Sequence, residues 1–280
     1  MNKYVLKKFF FLLMKYVVLL FFVFFVLFPF VWTFITSVKP EIQVFAIPPV
    51  WLPRPVIFDT YIEILQQGAF QVRLLNSIII ALGSTAISVV VSIPAAYAYA
   101  KYPFRFAGVL LGATAAVRMI PMVVLGVPFF LILRDLGLLD TRLGLIIVYL
   151  PLQLTLSIWM LYGHFKQIPS DLENAAKIDG LGVLGTLVRV VVPISVPIIS
   201  TAIVFSFLIS WNEFFFAMLT TSSERSMTLP IYIASQITTH RISWGRMTAM
   251  AIMFAIPAII FTLLAQKGLI KGLTAGALKE

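Results

Sequence analysis

A chain of 280 residues with 61% in the hydrophobic set, only 11% charged and a mean hydropathy of +1.02 is far more apolar than a soluble domain needs to be. The lack of cysteine excludes a disulfide framework, a thiolate metal site and a cysteine nucleophile, and with only His164 and His240 no metal residue is assigned. A net charge of +10 would point to nucleic acid in a soluble protein, but here it is first weighed as an asymmetry between membrane loops.

Six stretches reach the roughly 20 apolar residues that a helix needs to cross the hydrocarbon core: about 16–38, 74–98, 107–133, 143–162, 195–219 and 248–266. The first follows Lys3, Lys7, Lys8 and Lys15 and lacks a small-x-small cleavage site, so it is read as a retained helix rather than a signal peptide. The loop from Lys39 to Arg73 carries Pro48, Pro49, Pro53 and Pro55, which forbid a continuous helix, and Trp51, suited to the membrane interface. A further loop from Thr220 to Met247 holds Glu224, Arg225, Pro230, His240, Arg241 and Trp244; it either reaches a soluble partner or is a plain connector. Pro29, Pro94, Pro121, Pro128, Pro151, Pro197 and Pro257 fall inside the spans and are expected to kink them, as around a pathway, although proline is common in membrane helices anyway.

Lys and Arg concentrate at the N-terminus, at Lys101 and Arg105, at Lys166, Lys177 and Arg189, and in the tail at Lys267, Lys271 and Lys279. By the positive-inside rule that face is cytoplasmic, which places both termini in the cytoplasm, as six spans require. No internal repeat or low-complexity segment divides the chain, so residues 1–280 form one all-α transmembrane domain, with a cytoplasmic loop at 163–195 and a cytoplasmic tail at 267–280.

The cytoplasmic loop parses as two short helices. Ser170-x-x-Glu173 is expected to form a capping box after Pro169, and Gly180 to end the first helix in the left-handed region. Asp171 and Glu173 suit the positive end of the helix dipole. Leu172, Ala175 and Ala176 should share a small apolar face suited to a cleft on another protein.

The run Asn174-Ala175-Ala176-Lys177-Ile178-Asp179-Gly180, then nine residues, then Val190-Val-Val-Pro193 resembles the EAA loop of ATP-binding-cassette (ABC) importer permeases. The likeness continues through Leu75-Asn-Ser77, Leu136-Gly-Leu-Leu-Asp-Thr141, Trp211-Asn-Glu-Phe214 and Gly272-Leu-Thr-Ala-Gly276, which together are similar to the carbohydrate-uptake branch, in particular to subunits like the second membrane component of the maltose importer. The resemblance implies a type I ABC importer permease fold in the prokaryotic cell membrane. It implies that Glu173, Asn174, Ala175, Ala176, Asp179 and Gly180 dock in an ATPase groove and transmit its closure. Gly276 in the tail would add a second ATPase contact. Asn174 stands where the motif has Glu, with Glu173 just before it, which would shift or weaken a charge contact to the ATPase. The implied partners are a homologous permease subunit, a cytoplasmic ATPase dimer and an extracytoplasmic sugar-binding protein. ATP and Mg would belong to the ATPase, with no cofactor in this chain.

The chemistry of the chain agrees. There is no G-x-x-x-x-G-K-[ST], H-E-x-x-H or G-x-S-x-G, so no catalytic residue is assigned and energy must come from a partner or a gradient. Arg118 and Glu213 are charges inside spans and hence candidates for function. They lie about 16 Å and about 27 Å along their helices, too different in depth for an ion pair without tilt or kinks. Arg118 is expected to bond carbonyls near Pro121. Glu213 and Asn212 face the pathway or, for Glu213, bond another subunit. Trp211 offers a face for a sugar, although such aromatics more often pack or meet lipid. The expected function is the permease half of an ATP-driven, binding-protein-dependent sugar importer. The alternative is an ion-gradient-driven transporter or channel with Glu213 as its ion site, disfavoured by the scarcity of intramembrane carboxylates and the lack of inverted symmetry.

Overall fold

The computed structural model describes residues 3–102, 104–237 and 242–277, side chains excepted at 3–6, 8 and 266–277. Among these, every regular element is helical. The chain divides into two compact units, one of residues 1–68 and 233–255 and one of residues 69–232 and 256–280.

In the first unit, α1 (Lys3–Ser37) is a single long helix with Pro29 inside it. Phe21, Phe22, Phe24 and Phe25 lie exposed on successive faces, so α1 is apolar all round, as a span is. Short helices α2 (Glu41–Val44) and α3 (Asp59–Gln66) follow. Tyr61 on α3 meets the Ser37 hydroxyl at 2.6 Å, and the Ile57 amide donates to the Val38 carbonyl at 3.0 Å. Trp51 packs edge-on against Trp32 at 5.1 Å, while the Lys39 ammonium sits 4.2 Å over the same Trp32 ring. The proline-rich loop is therefore a cap folded onto the end of α1.

The second unit is built on α4 (Ala69–Lys101), α7 (Arg142–Phe165) and α11 (Val196–Trp211), which pack against one another through small hydroxyl residues. Gln153 Nε2 donates to Ser84 Oγ at 2.9 Å, Ser84 Oγ donates to Ser210 Oγ at 3.1 Å, and Ser157 and Ser206 hydroxyls meet at 2.9 Å. Lipid gives apolar side chains no reason to leave it, so close backbone approach and interhelical hydrogen bonds hold such helices together. Leu161, Phe165, Tyr97 and Val191 fill one end of the unit and Ile80, Leu145, Tyr149 and Phe216 the other.

The expected continuous span at 107–133 is instead two helices, α5 (Ala107–Val117) and α6 (Met122–Asp135), bent by 98°. Pro121 explains the break: the residue before a proline is driven out of the α region, and Pro121 itself has extended ψ of 131°. Likewise 195–219 is not one helix. The chain passes from α8 (Ser170–Ile178) through α9 (Val183–Thr186), a π turn at Leu187–Val191 and α10 (Val192–Ile194) into α11, with an 83° bend between Val183–Ile194 and Val196–Trp211. After α11, three residues intervene before α12 (Phe215–Thr220). Helix α13 (Leu229–Ala234) leads to α14 (Trp244–Ala277), which the two units share. Pro29, Pro94, Pro128, Pro151 and Pro257 lie within continuous helices, so of the expected kinks only Pro121 and Pro197 mark breaks.

Among the described residues, four helices are long and apolar enough to cross a membrane, or up to six spans if each bent pair counts as one. Hydrogen bonds inside the second unit bear on that choice. At one end Arg73 pairs with Glu224 at 2.6 Å, Arg142 Nε donates to Asn76 Oδ1 at 2.8 Å, and the Leu229 amide donates to Ser77 Oγ at 2.8 Å. At the other end of α4, Lys101 reaches Glu173 and the Ile168 carbonyl. The α5–α6 pair starts just after Lys101 and ends beside Arg142, so it travels from one end of the unit to the other. The second bent pair does the same between Glu173 and Glu224.

Candidate coupling surface and translocation path

Helix α8 follows Pro169, whose fixed φ and missing amide suit a helix entry. The expected capping box does not form: Ser170 is already the first helical residue and no side chain caps this end. Glu173 instead turns inward. It is buried, and its Oε1 lies 3.0 Å from Lys101 Nζ, which also donates to the Ile168 carbonyl at 2.6 Å. Breaking one partner of a pair so enclosed costs about 3–5 kcal/mol. The C-terminus ends as the sequence predicts. Gly180 has φ of 80°, its amide donates to Lys177 O at 3.0 Å and the Leu181 amide donates to Ala176 O at 2.9 Å, the paired bonds of a Schellman motif.

The two sides of α8 follow. Glu173 and Ala176 face the protein, whereas Leu172, Asn174, Ala175, Ile178, Asp179 and Gly180 are exposed. Ala176 therefore leaves the apolar face expected for it, and Ile178, 87% exposed, takes its place. Val183 and Leu184 on α9 extend this patch. Glu173 offers nothing outward, because its charge is already engaged. Gly276 lies on the helical backbone of α14, its surroundings outside the described residues, as are residues 278–280 and 238–241 with His240 and Arg241.

The four residues assigned to the pathway part company. Trp211 is buried and stacks on Phe207 at 5.3 Å, which in turn stacks on Phe261 at 3.9 Å, so its face is closed to a sugar. Glu213 is buried too, and its carboxylate accepts the amides of Phe216 at 2.9 Å and Ala217 at 3.2 Å, which closes the first turn of α12. Asn212 is exposed, with Nδ2 donating to the Leu208 carbonyl at 2.8 Å. Arg118 is exposed in the break between α5 and α6; Nη2 donates to the carbonyl of Leu152 on α7 at 3.0 Å, not to carbonyls near Pro121. Thr155 and Trp159 of α7 bond Thr114 on the neighbouring turn of α5 at 3.1 Å each, so the break is held against α7.

Sequence reasoning missed a second organising centre. Asp140, in the left-handed region at φ of 54°, accepts the amides of Ser222 and Ser223 at 3.0 and 3.1 Å, the Ser226 hydroxyl at 2.8 Å and the Ser223 hydroxyl. Burial pushes its carboxyl up, but the Ser223 hydroxyl, the Ser222 amide and the other donors outweigh this and bring it down to about 2. Asn76 Nδ2 adds bonds to the carbonyls of Glu224 and Met227 at 3.0 and 2.9 Å. The first part of the loop from Thr220 is thus fixed to α4 and to the α6–α7 connection. No group of residues able to hold a metal ion occurs among the described residues.

Comparison with known proteins places this geometry. A family model described as a binding-protein-dependent transport system inner membrane component matches residues 88–268. The chain is 37% identical to a trehalose transport system permease protein of Mycobacterium tuberculosis, over 90% of this chain and 92% of that one. It is 36% identical to a sulfoquinovosyl glycerol transport system permease protein of Agrobacterium fabrum, over 90% and 89%. A trehalose/maltose transport system permease protein of Thermococcus litoralis is 35% identical over 90% and 91%. Among solved structures, a chain of a bacterial ABC transporter that imports the acidic polysaccharide alginate superposes with a TM-score of 0.78, at 26% identity, over 93% of this chain and 97% of that one.

Proposed function

Since the chain belongs to the family of binding-protein-dependent transport system inner membrane components and is, like its relatives, a non-enzymatic multi-pass permease subunit of a sugar ABC importer, we propose that α8 is its ATPase-docking helix. The observation that carries this reading is the outward face of α8: Leu172, Asn174, Ala175, Ile178, Asp179 and Gly180 stand free on a short helix whose other face is anchored to α4. A small apolar face flanked by exposed carboxylates, Asp171 at one end and Asp179 at the other, fits a cleft on a soluble protein. At Asn174 itself the contact is one of hydrogen bonding, and the charge is left to Asp179.

The proposed assembly has a second, homologous permease subunit, two ATPase copies that hold ATP and Mg, and an extracytoplasmic sugar-binding protein; the tail around Gly276 adds a second ATPase contact. This chain forms half of the pathway, and its cargo is a mono- or oligosaccharide, in line with the cargoes named for its relatives. In the pathway, exposed Arg118 and Asn212 meet cargo, whereas Trp211 and Glu213 hold the wall behind them. Neither the fold nor the comparisons favour the gradient-driven alternative, and Glu213 is engaged in helix capping rather than free to bind an ion.

The test is copurification from mild detergent. The unsubstituted chain is expected to bring down a second permease subunit and the ATPase. Asp179→Ala removes the carboxylate, and Gly180→Pro forces φ from 80° to the proline value; each should cut ATPase recovery about tenfold, or ~1.4 kcal/mol of docking energy. Full ATPase recovery with both substitutions would sink the docking assignment.

A further inference from the structure

Beyond the exposed face of α8, the enclosed charges of Lys101 and Glu173, together with the Ile168 carbonyl, form a cluster that neither docking nor the pathway accounts for. Lys101 is the last residue of α4, the long helix that forms the core of the second unit with α7 and α11. Glu173 lies in the middle of α8, on the side opposite to the docking face. Apart from Lys101, Glu173 meets the hydroxyl of buried Tyr97, also on α4, and α8 touches the rest of the unit through Ala176, a methyl group, and through the short connection that leads to α9 and the π turn. A helix held only by its own chain ends, one methyl group and one neutral hydroxyl can swing when pushed. A near-buried ion pair, with the ammonium also hydrogen-bonded to the Ile168 carbonyl, resists that swing, because separating the charges would leave each one desolvated without its counter-charge.

We infer that Lys101 and Glu173 are a latch that makes α8 and α4 one mechanical body, so that displacement of α8 by the ATPase is delivered to the membrane helices rather than absorbed in the loop. This rests on the docking role proposed for α8 and gives Glu173, placed within the coupling motif, a role other than contact with the ATPase. Lys101 and Glu173 are positioning residues: they touch neither cargo nor nucleotide.

The chain contains no cysteine, so spin labels can be placed at will. Labels at Tyr102→Cys, just past α4, and Lys177→Cys, on the exposed side of α8, report the distance between the two elements in the detergent-purified complex. Measured without nucleotide and then with a non-hydrolysable ATP analogue that closes the ATPase dimer, the otherwise unsubstituted complex should give one narrow distance that does not change. With Lys101→Met the ATPase should still copurify, since the docking face is intact, but the distance should broaden and shift when the analogue is added. Lys101→Arg keeps the charge and the donors and should behave as the original. The reversed pair Lys101→Glu with Glu173→Lys should restore a single unmoved distance, which a merely disordered variant could not do. A narrow, unmoved distance in Lys101→Met, or a shift already present with Lys101 in place, would overturn the latch while leaving the docking role standing. Failure of the ATPase to copurify even with the unsubstituted docking face would instead remove the docking role, and the latch with it.

Discussion

Asp140 and Glu213 show how one carboxylate can organise the backbone where regular elements begin and end. Asp140 collects two amides and two hydroxyls from residues 222–226, and those donors bring its pKa from 3.8 to about 2. A group whose pKa is lowered on folding contributes stability that is complete above its unfolded value and is lost as pH falls through its folded one. Protection of the 221–227 amides from hydrogen exchange, corrected for the intrinsic rate, should therefore stay level from neutral pH down to about 4 and then decline toward pH 2. Asp140→Asn should raise exchange there about tenfold or more at neutral pH, since hydrogen bonds to a charged group contribute about 1.5–3 kcal/mol. Glu213 serves Phe216 and Ala217 in the same way, but inside the bundle. Glu213→Ala leaves two buried amides unpaired and should cost about 1–3 kcal/mol for each, whereas Glu213→Gln retains an acceptor and should cost about 1 kcal/mol. Thermal unfolding in detergent separates the two. Equal and negligible losses would return Glu213 to a role in the pathway.

Elements in this chain end where backbone chemistry dictates, and that decides how far the sequence could be read. Gly180 and the Pro169 entry bound α8 as the residues predict, because left-handed φ and fixed φ are local properties. The inward turn of Glu173 was not legible, since its partner Lys101 is 72 positions away and a capping box competes for the same carboxylate using neighbours alone. Hydropathy located the spans but not the breaks at Arg118–Pro121 and at 212–214, because an apolar run gives the same signal whether its helix is continuous or interrupted. Trp211 was offered as a sugar platform, and only the packing of Phe207 and Phe261 closes its face. Glycine shows the same dependence on surroundings. A Cβ at Gly144, in the first turn of α7, would run into the Leu138 carbonyl, which the Thr141 cap and the turn hold in place. A Cβ at Gly83 would meet the end of the Ile146 side chain at 2.9 Å, which can rotate away. Gly144→Ala should therefore lower stability by about 1–3 kcal/mol and Gly83→Ala by less than about 1 kcal/mol, read as unfolding midpoints of the two variants.

At the scale of the molecule, the membrane topology turns on the two bent pairs, because a re-entrant pair would leave α7 or α14 running the opposite way. Inside the second unit, the pairing of Arg73 with Glu224 and of Asp140 with Ser222, Ser223 and Ser226 gathers the start of α4, the α6–α7 connection and the chain after α12 at one end. Lys101, Ile168 and Glu173 gather at the other. Each bent pair joins those ends and so should cross; with α1 and α14 this would make six passes and put both termini on one side, the cytoplasmic side by the excess of Lys and Arg there. Single cysteines in the cysteine-free chain test the arrangement. Ile47→Cys, 96% exposed in the chain, and Leu136→Cys, 62% exposed, should react with an impermeant maleimide added outside intact cells. Gln167→Cys, beside the start of α8, should react only in inside-out vesicles. If α5 and α6 formed a re-entrant hairpin, Leu136→Cys would be protected from outside and Gln167→Cys would become accessible there, placing the docking helix on the face opposite to any ATPase. The coupling role of α8 and the crossing of the α5–α6 pair therefore stand or fall together in this measurement.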